Sequence, residues 1–284
     1  MKRFSFLLLA AVVLVGVWWI SQADRPAPTP ASNSSLEVAF LDVGQGDAIL
    51  VRNSGASMLV DAGTNASTPD FLRELRERGV GRFDFVVATH PHEDHVGGMD
   101  AVVEGFEIGH LLMPKLSTTT NTFADLMRAI QEKGLTVTAP EPGASYDLGA
   151  SRFTILAPGN ASYEDLNDYS IVLRISCGNN SVLLTGDAGL PSEKEMLAGG
   201  YSLKSDVLKV GHHGSVLSTS PEFLPAVRPS FAVISVGQGN DYGHPHRETL
   251  DELNAAGVTT YRTDLHGTIT LLSDGNHISF TTAR

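Results

Sequence analysis

Residues 88–99 read ATHPHEDHVGGM and directly follow the apolar run Phe85-Val86-Val87. His90, His92 and His95 stand there beside Glu93 and Asp94. Imidazole and carboxylate together are the ligand set of zinc, with iron and manganese as alternatives. A solvated loop has no need of such a cluster at the end of a buried strand. In a tight turn His90 and His92 can face one ion, while Asp94 and His95 offer an oxygen and a nitrogen to a second. Gly97-Gly98 lets the chain turn sharply into a helix. One loop can therefore feed two adjacent cations, but closing both sites needs ligands from other strand ends.

Two later stretches have that form. VLLTGDAG (182–189) brings Asp187 to the end of an apolar strand, where a carboxylate can bridge two ions. LKVGHHGS (208–215) ends another apolar strand on His212 and His213. Adjacent histidines point apart, so one is expected to bind metal and the other to meet substrate or pack; position alone leaves open which. DYGHPHRETL (241–250) puts His244 before a helix, where it is expected either to approach a leaving group or a phosphate oxygen or simply to open the helix. His110, His266 and His277 stand alone and carry no assigned role. DVGQGD (42–47) lacks the third glycine of a dinucleotide loop and any following Gly-Lys, so it reads as a tight turn between two strands.

Outward from these motifs the chain alternates. Strands are expected at 36–42, 48–52 and 57–63, then a helix over 69–79 with Phe71, Leu72 and Leu75 on one face. A further helix spans 121–134 and stops at glycine; strands follow near 151–157, 170–177 and 181–185. Helices and strands then alternate to a closing hairpin on the Ser273–Asn276 turn. A meander followed by alternation excludes all-α and simple all-β folds and predicts helix-covered mixed sheets, hence an α/β class or a layered α/β/α sandwich.

The 284 residues suit one large domain plus an appendage. Lys2 and Arg3 precede an apolar run from Phe4 to Ile20. That pattern makes residues 1–23 a cleavable export signal or, with Trp18-Trp19 as an interfacial belt, an uncleaved membrane anchor. Both place the remainder outside the cytoplasm. Residues 24–35, DRPAPTPASNSS, read as an extended linker, and the body begins at Leu36. Cys177 is the sole cysteine, which excludes an intramolecular disulfide and a cysteine-based zinc site. The net charge of -12 repels polyanions at long range, so any phosphate chemistry needs local cations.

HPHEDHVGG (90–98) is similar to the H-x-H-x-D-H signature of the metallo-β-lactamase superfamily, and LLTGD and GHHGS look like its later metal-binding motifs. Across 36–284 the succession FLDVGQGDAILVR, LVDAG, HPHEDHVGG, NDYSIVLRI, LLTGD, LKVGHHGS, ISVG, YGHPH, YRTDLHGTI resembles the hydrolase domain of the ComEC/Rec2 competence proteins. The resemblance implies a free-standing, exported version of that domain, folded as an αββα four-layer sandwich with a binuclear site at one edge of the sheets. It implies two divalent ions, zinc first and manganese as the alternative. His90 and His92 would serve one ion, Asp94 and His95 the other, with Asp187 bridging and His212 or His213 completing the second site. Asp61, in LVDAG, would orient the metal loop through hydrogen bonds. Many superfamily members carry a further histidine where this chain reads LNDYSIV, leaving Asn167 or Asp168 to stand in. The implied activity is hydrolysis of a phosphodiester, DNA among the candidates, with Asp94, Asp187 and His244 at the reacting centre. The competing expectation is an exported binding or assembly module whose metal centre is structural or degenerate.

Overall fold

The structure is a computed structural model that describes residues 35–159 and 162–284. The expected export segment and all of the linker except Ser35 lie outside the described residues. Among the described residues, no helix is long and apolar enough to cross a membrane.

The first half is built as β1 (Leu36–Phe40), β2 (Ile49–Asn53) and β3 (Ala56–Val60), an antiparallel meander, followed by parallel additions. Helix α1 (Thr68–Glu77) leads to β4 (Arg82–Val87); α2 (Glu93–Val96) and α3 (Met99–Gly105) lead to β5 (Glu107–Leu112); α4 (Asn121–Lys133) leads to β6 (Val137–Thr138). The second half repeats the plan with β7 (Ser145–Leu148), β8 (Ser151–Ala157), β9 (Val172–Cys177) and β10 (Asn180–Leu184) antiparallel. Helices α5 (Leu190–Ala198), α6 (Phe223–Val227) and α7 (Arg247–Ala255) then alternate with the parallel strands β11 (Val207–Lys209), β12 (Phe231–Ile234) and β13 (Thr259–Arg262). After the short α8 (Thr263–His266), β14 (Ile269–Ser273) and β15 (Ile278–Thr282) return to the first sheet, where β14 pairs with β1. The sheet orders are β15-β14-β1-β2-β3-β4-β5-β6 and β13-β12-β11-β10-β9-β8-β7.

Side-chain alternation turns these two sheets into four layers. Leu36, Val38 and Phe40 of β1 face Ile175, Val182 and Leu184 in a core between the sheets. Ala39, on the opposite face of β1, joins Phe71, Leu75, Leu126 and Ile130 of α1 and α4 in a second core. Leu183 and Leu208 pack with Met196, Phe223 and Leu253 of the helices on the far side in a third. The fold is the expected αββα sandwich. Cys177 belongs to the core between the sheets.

Local signals place the helices. The Thr120 hydroxyl accepts a hydrogen bond from Phe123 N at 3.3 Å and caps α4, and Gly134 at φ 68° ends it. Pro69 opens α1 where no backbone donor is needed, and Phe71 and Leu75 are buried while Leu72 is half-buried. The sequence pattern does not single out β5, β6, β7 or β13. Strands β6, β7 and β13 lie at sheet edges, and β5 borders the two-residue β6. Such strands need no continuous apolar run, since part of their surface stays wet.

Candidate metal centre

Four strand ends converge at one edge of the sandwich. Each carries a functional side chain on the residues just beyond its last hydrogen-bonded pair. The turn after β4 holds His90 and His92, and α2 holds Asp94 and His95. The turn after β10 holds Asp187, and the turn after β11 holds His212 and His213. Asp61 follows β3 with φ at 60°, in the left-handed region. His212 and His213 lie there too, at φ 47° and 54°. Left-handed backbone costs a non-glycine residue on the order of 1–3 kcal/mol, so three such residues at one edge mark a site the surrounding structure enforces.

Asp187 Oδ2 is the hub. It lies 3.2 Å from His95 Nε2, 3.4 Å from His213 Nε2, 3.8 Å from His212 Nε2 and 4.0 Å from His90 Nε2. Asp94 Oδ2 is 3.2 Å from His213 Nε2 and 3.9 Å from His95 Nε2. Donor atoms of Asp94, His95, Asp187 and His213 all fall within 4.8 Å of one another. His90 Nε2 and His92 Nδ1 face each other at 3.1 Å. The two histidines left open by the sequence therefore differ: His213 is buried with the inner cluster, while His212 is partly exposed and lines the cavity above it.

Supporting hydrogen bonds fix which ring atom faces inward. His213 Nδ1 donates to Ser235 O at 2.9 Å, leaving Nε2 for the cluster. His95 Nδ1 donates to Asp61 Oδ2 at 2.8 Å. Asp61 also accepts from Thr89 N at 2.8 Å and Thr89 Oγ1 at 2.7 Å, tying the end of β3 to the start of the histidine turn. Asp61→Ala is expected to weaken metal affinity roughly 10- to 100-fold while the fold persists, as for other residues that orient ligands. Metal titration with a competing chelator measures it, and unchanged affinity would remove Asp61 from that role.

The electrostatics follow from burial and crowding. Burial works against charge on His95, yet the carboxylates of Asp187, Asp94 and Asp61 hold its proton affinity well above the ordinary histidine range. Burial likewise opposes charge on His213, but Asp187, Asp94 and Asp47 push it up to about 10. Asp187 is held well below the carboxylate range, because His213 and His95 outweigh its burial. His90 is driven well below the histidine range by burial and by repulsion from His95. The cluster thus gathers negative charge that draws protons onto two of its imidazoles.

His95 Nε2, His213 Nε2 and Asp187 Oδ1 are buried and make no hydrogen bond of regular geometry. Buried polar atoms left in this way are costly unless something pairs with them. A divalent cation fits this donor set: the imidazole nitrogens and carboxylate oxygens would hold it in place of their protons.

Asn167 and Asp168 separate clearly. Asn167 lines both cavities at this edge, and its Oδ1 is buried without a hydrogen-bond partner. Asp168 Oδ1 accepts from Gly189 N at 3.0 Å and so holds the loop behind Asp187. His244 lines the larger cavity, about 450 Å³ in volume, with its ring centroid 5.5 Å from that of His212. Burial, reinforced by the imidazoles of His212, His213 and His246, pushes His244 down to about 4. It therefore stands neutral at pH 7 on the cavity wall.

Several residues of the site escape the sequence pattern. Lys209 is fully buried, and its Nζ lies 3.0 Å from Asp47 Oδ2 and donates to Val210 O at 2.8 Å. Asp47 Oδ1 lies 3.8 Å from His213 Nδ1. Asp47, Asp61 and His95 also bring donor atoms within 4.8 Å, but Lys209 already supplies Asp47 with a cation and His95 Nδ1 is bonded to Asp61. The group is a buried web beneath the histidine and carboxylate cluster. The usable signal was a lysine inside the apolar run VLKV, since lysine is almost never fully buried unpaired. DVGQGD, read as a simple turn, presses against the metal loop. Asp47 N donates to Asp94 O at 3.1 Å, and a Cβ on Gly46, at φ 137°, would sit 2.2 Å from that same oxygen. Gly46→Ala is expected to cost about 2 kcal/mol or more, because a backbone clash cannot relax cheaply. Urea denaturation of the metal-free protein measures it, and a shift under about 0.5 kcal/mol would show the loop to be pliable.

The comparisons with known proteins agree with this geometry. The profile of the Metallo-beta-lactamase superfamily matches residues 41–238. Competence protein ComA of Neisseria gonorrhoeae is 34% identical over 272 residues, covering 95% of this chain and 35% of that protein. ComE operon protein 3 of Bacillus subtilis is 30% identical over 258 residues, covering 84% of this chain and 33% of the relative. Recombination protein 2 of Haemophilus influenzae is 30% identical over 256 residues, covering 88% and 29%. The chain thus spans about a third of the length of these curated relatives. Among solved structures, the metallo-beta-lactamase fold protein YhfI from Bacillus subtilis superposes with a TM-score of 0.55 at 13% identity, over 84% of this chain and 100% of that one. CmlA, a diiron beta-hydroxylase from Streptomyces venezuelae, gives 0.53 at 18% identity, over 86% and 55%. These two likenesses speak for the fold alone. With the family profile over most of its length and the ligand-type residues gathered at the ends of its strands, the chain belongs to the metallo-beta-lactamase superfamily.

Proposed function

We propose that this protein is an exported, metal-dependent phosphodiesterase that takes DNA or a related phosphodiester as substrate. The observation that carries the reading is the convergence of four histidine Nε2 atoms within 4.0 Å of Asp187 Oδ2 at the floor of an open cavity. His90, His92 and Asp187 would hold one divalent ion; Asp94, His95, His213 and Asp187 would hold the other, zinc first and manganese as the alternative. When bound, such ions supply Lewis acidity toward phosphoryl oxygens and lower the pKa of water at the site.

The chain's own residues supply the rest. Asp94 and Asp187 balance the positive charge. Asn167, on the His90 side, offers an oxygen where many relatives place a further histidine. His212 and His244 present hydrogen-bond donors to the substrate's oxygens from the cavity wall. The competence proteins among its relatives favour a nucleic-acid phosphodiester and a place in the cell envelope. The basic start and apolar run of residues 2–20 support export. Cell fractionation that found full-length protein only in the soluble cytosol would overturn the export claim.

The test combines elemental analysis of the purified protein with hydrolysis of bis(p-nitrophenyl) phosphate, single-stranded DNA and nitrocefin, with His92→Ala as control. Phosphodiester cleavage lost in His92→Ala is the expected result. Nitrocefin turnover without phosphodiester cleavage would refute the assignment. Full metal occupancy with no turnover would favour the binding-module reading, to which Asn167 in place of a histidine lends its one structural support.

A further inference from the structure

The cavity over the metal ligands does not end there. A second cavity of about 170 Å³ shares Asn167, Asp187 and His212 with it, so the two form one cleft crossing the centre. Among the described residues, no lysine or arginine lines either part. A polyanion lying in the cleft would find cations only at the metal pair, and binding strength must come from elsewhere.

Its source lies in the cleft walls. Tyr242 lines the larger part and is 67% exposed, an unusual state for a large aromatic side chain. Its ring is stacked on His244, with centroids 5.7 Å apart and planes 22° from parallel. The loop beneath is pinned by Asn240, whose Oδ1 accepts from Tyr242 N at 3.2 Å and His244 N at 3.0 Å. Asn240 Nδ2 donates to Gly237 O at 2.9 Å and His244 O at 2.7 Å. The ring is thus held beside the reacting centre with His244 behind it. At the other end of the cleft Leu190 and Leu217 are 38% and 57% exposed beside Pro191.

We propose that Tyr242 is a stacking platform for an unpaired nucleobase next to the scissile phosphate, so that the substrate is single-stranded nucleic acid gripped through its bases. This inference rests on the phosphodiesterase reading. A flat aromatic face accepts any base, because every base presents a π-face, and a base inside a duplex cannot reach it. The lysine- and arginine-free cleft fits the same substrate: stacking compensates for the backbone contacts it lacks. Leu190 and Leu217 offer an apolar shelf for the nucleoside on the other side of the phosphate.

The experiment uses the full-length, metal-loaded protein and two single-stranded oligonucleotides of equal length. One carries thymine at every position; the other carries abasic tetrahydrofuran residues in the centre. Wild type is expected to show a KM about tenfold lower for the base-bearing strand, the usual scale of one aromatic stack. Tyr242→Ala is expected to bring that ratio close to one, and Tyr242→Trp to restore it. An equal ratio in wild type and Tyr242→Ala, with both strands cleaved, would overturn the platform and leave the phosphodiesterase standing. Failure of the wild type to cleave either strand, with metals bound, would overturn the nuclease reading and the platform with it.

Discussion

Asp187→Asn is expected to reduce bound metal to well under half of the wild-type content and to lower phosphodiester kcat/KM by roughly 10³-fold, about 4 kcal/mol of transition-state stabilisation. No other carboxylate of the cluster approaches so many imidazoles. Its Oδ2 lies between 3.2 and 4.0 Å from the Nε2 atoms of His90, His95, His212 and His213. An amide there keeps the volume and removes the charge, so both proposed ions lose a shared anionic ligand. The side chain is 2% exposed, and water cannot substitute for the missing carboxylate without displacing packed groups. Elemental analysis after gel filtration, alongside the kinetic measurement, is the check. Wild-type metal content in the variant would remove Asp187 from the centre.

Lys209→Met is expected to destabilise the metal-free protein by about 3–5 kcal/mol, the usual cost of leaving one partner of a buried ion pair uncompensated. Lys209 and Asp47 are 0% and 1% exposed. Lys209 ends β11 in one sheet, and Asp47 closes the β1–β2 turn in the other, so the pair ties the two sheets beneath the cluster. Asp47 also bonds through its backbone to Asp94 O and to Gly63 N. Asp47→Asn should be costly on its own for the same reason. The double variant Asp47→Asn with Lys209→Met should recover part of the loss, since it leaves no buried charge behind. Urea denaturation of all three variants against wild type gives the coupling energy. Single-variant costs below about 1 kcal/mol would show that water already reaches the pair.

The two predictions differ in how visible their residues were. Asp187 was a weak signal by itself, since turns after strands often carry Gly-Asp; it gained weight only beside the histidine groups and the resemblance of LLTGD to a metal-binding motif. His90, His92, Asp94, His95, His212 and His213 stand out by their grouping after apolar strands. Ligand chemistry demands rare residue types at strand ends, and rare residues in dense groups are legible in one dimension. The order of strand and helix periods gave the α/β class, and the resemblance of successive motifs implied the four-layer sandwich. The structure alone separated Asn167 from Asp168, because neighbouring residues on a short 3-10 turn, Leu166–Tyr169, point in different directions. It also separated His213 from His212: of these two consecutive left-handed residues, His213 is buried and His212 is partly exposed. The Asp47–Lys209 pair and the pairing of Tyr242 with His244 across a hydrogen-bonded loop likewise needed coordinates. Sequence determines which chemistry a chain can hold and roughly where its elements begin. Contacts between distant turns depend on how two sheets twist and pack, a property of all the side chains in the three cores together and of no local pattern.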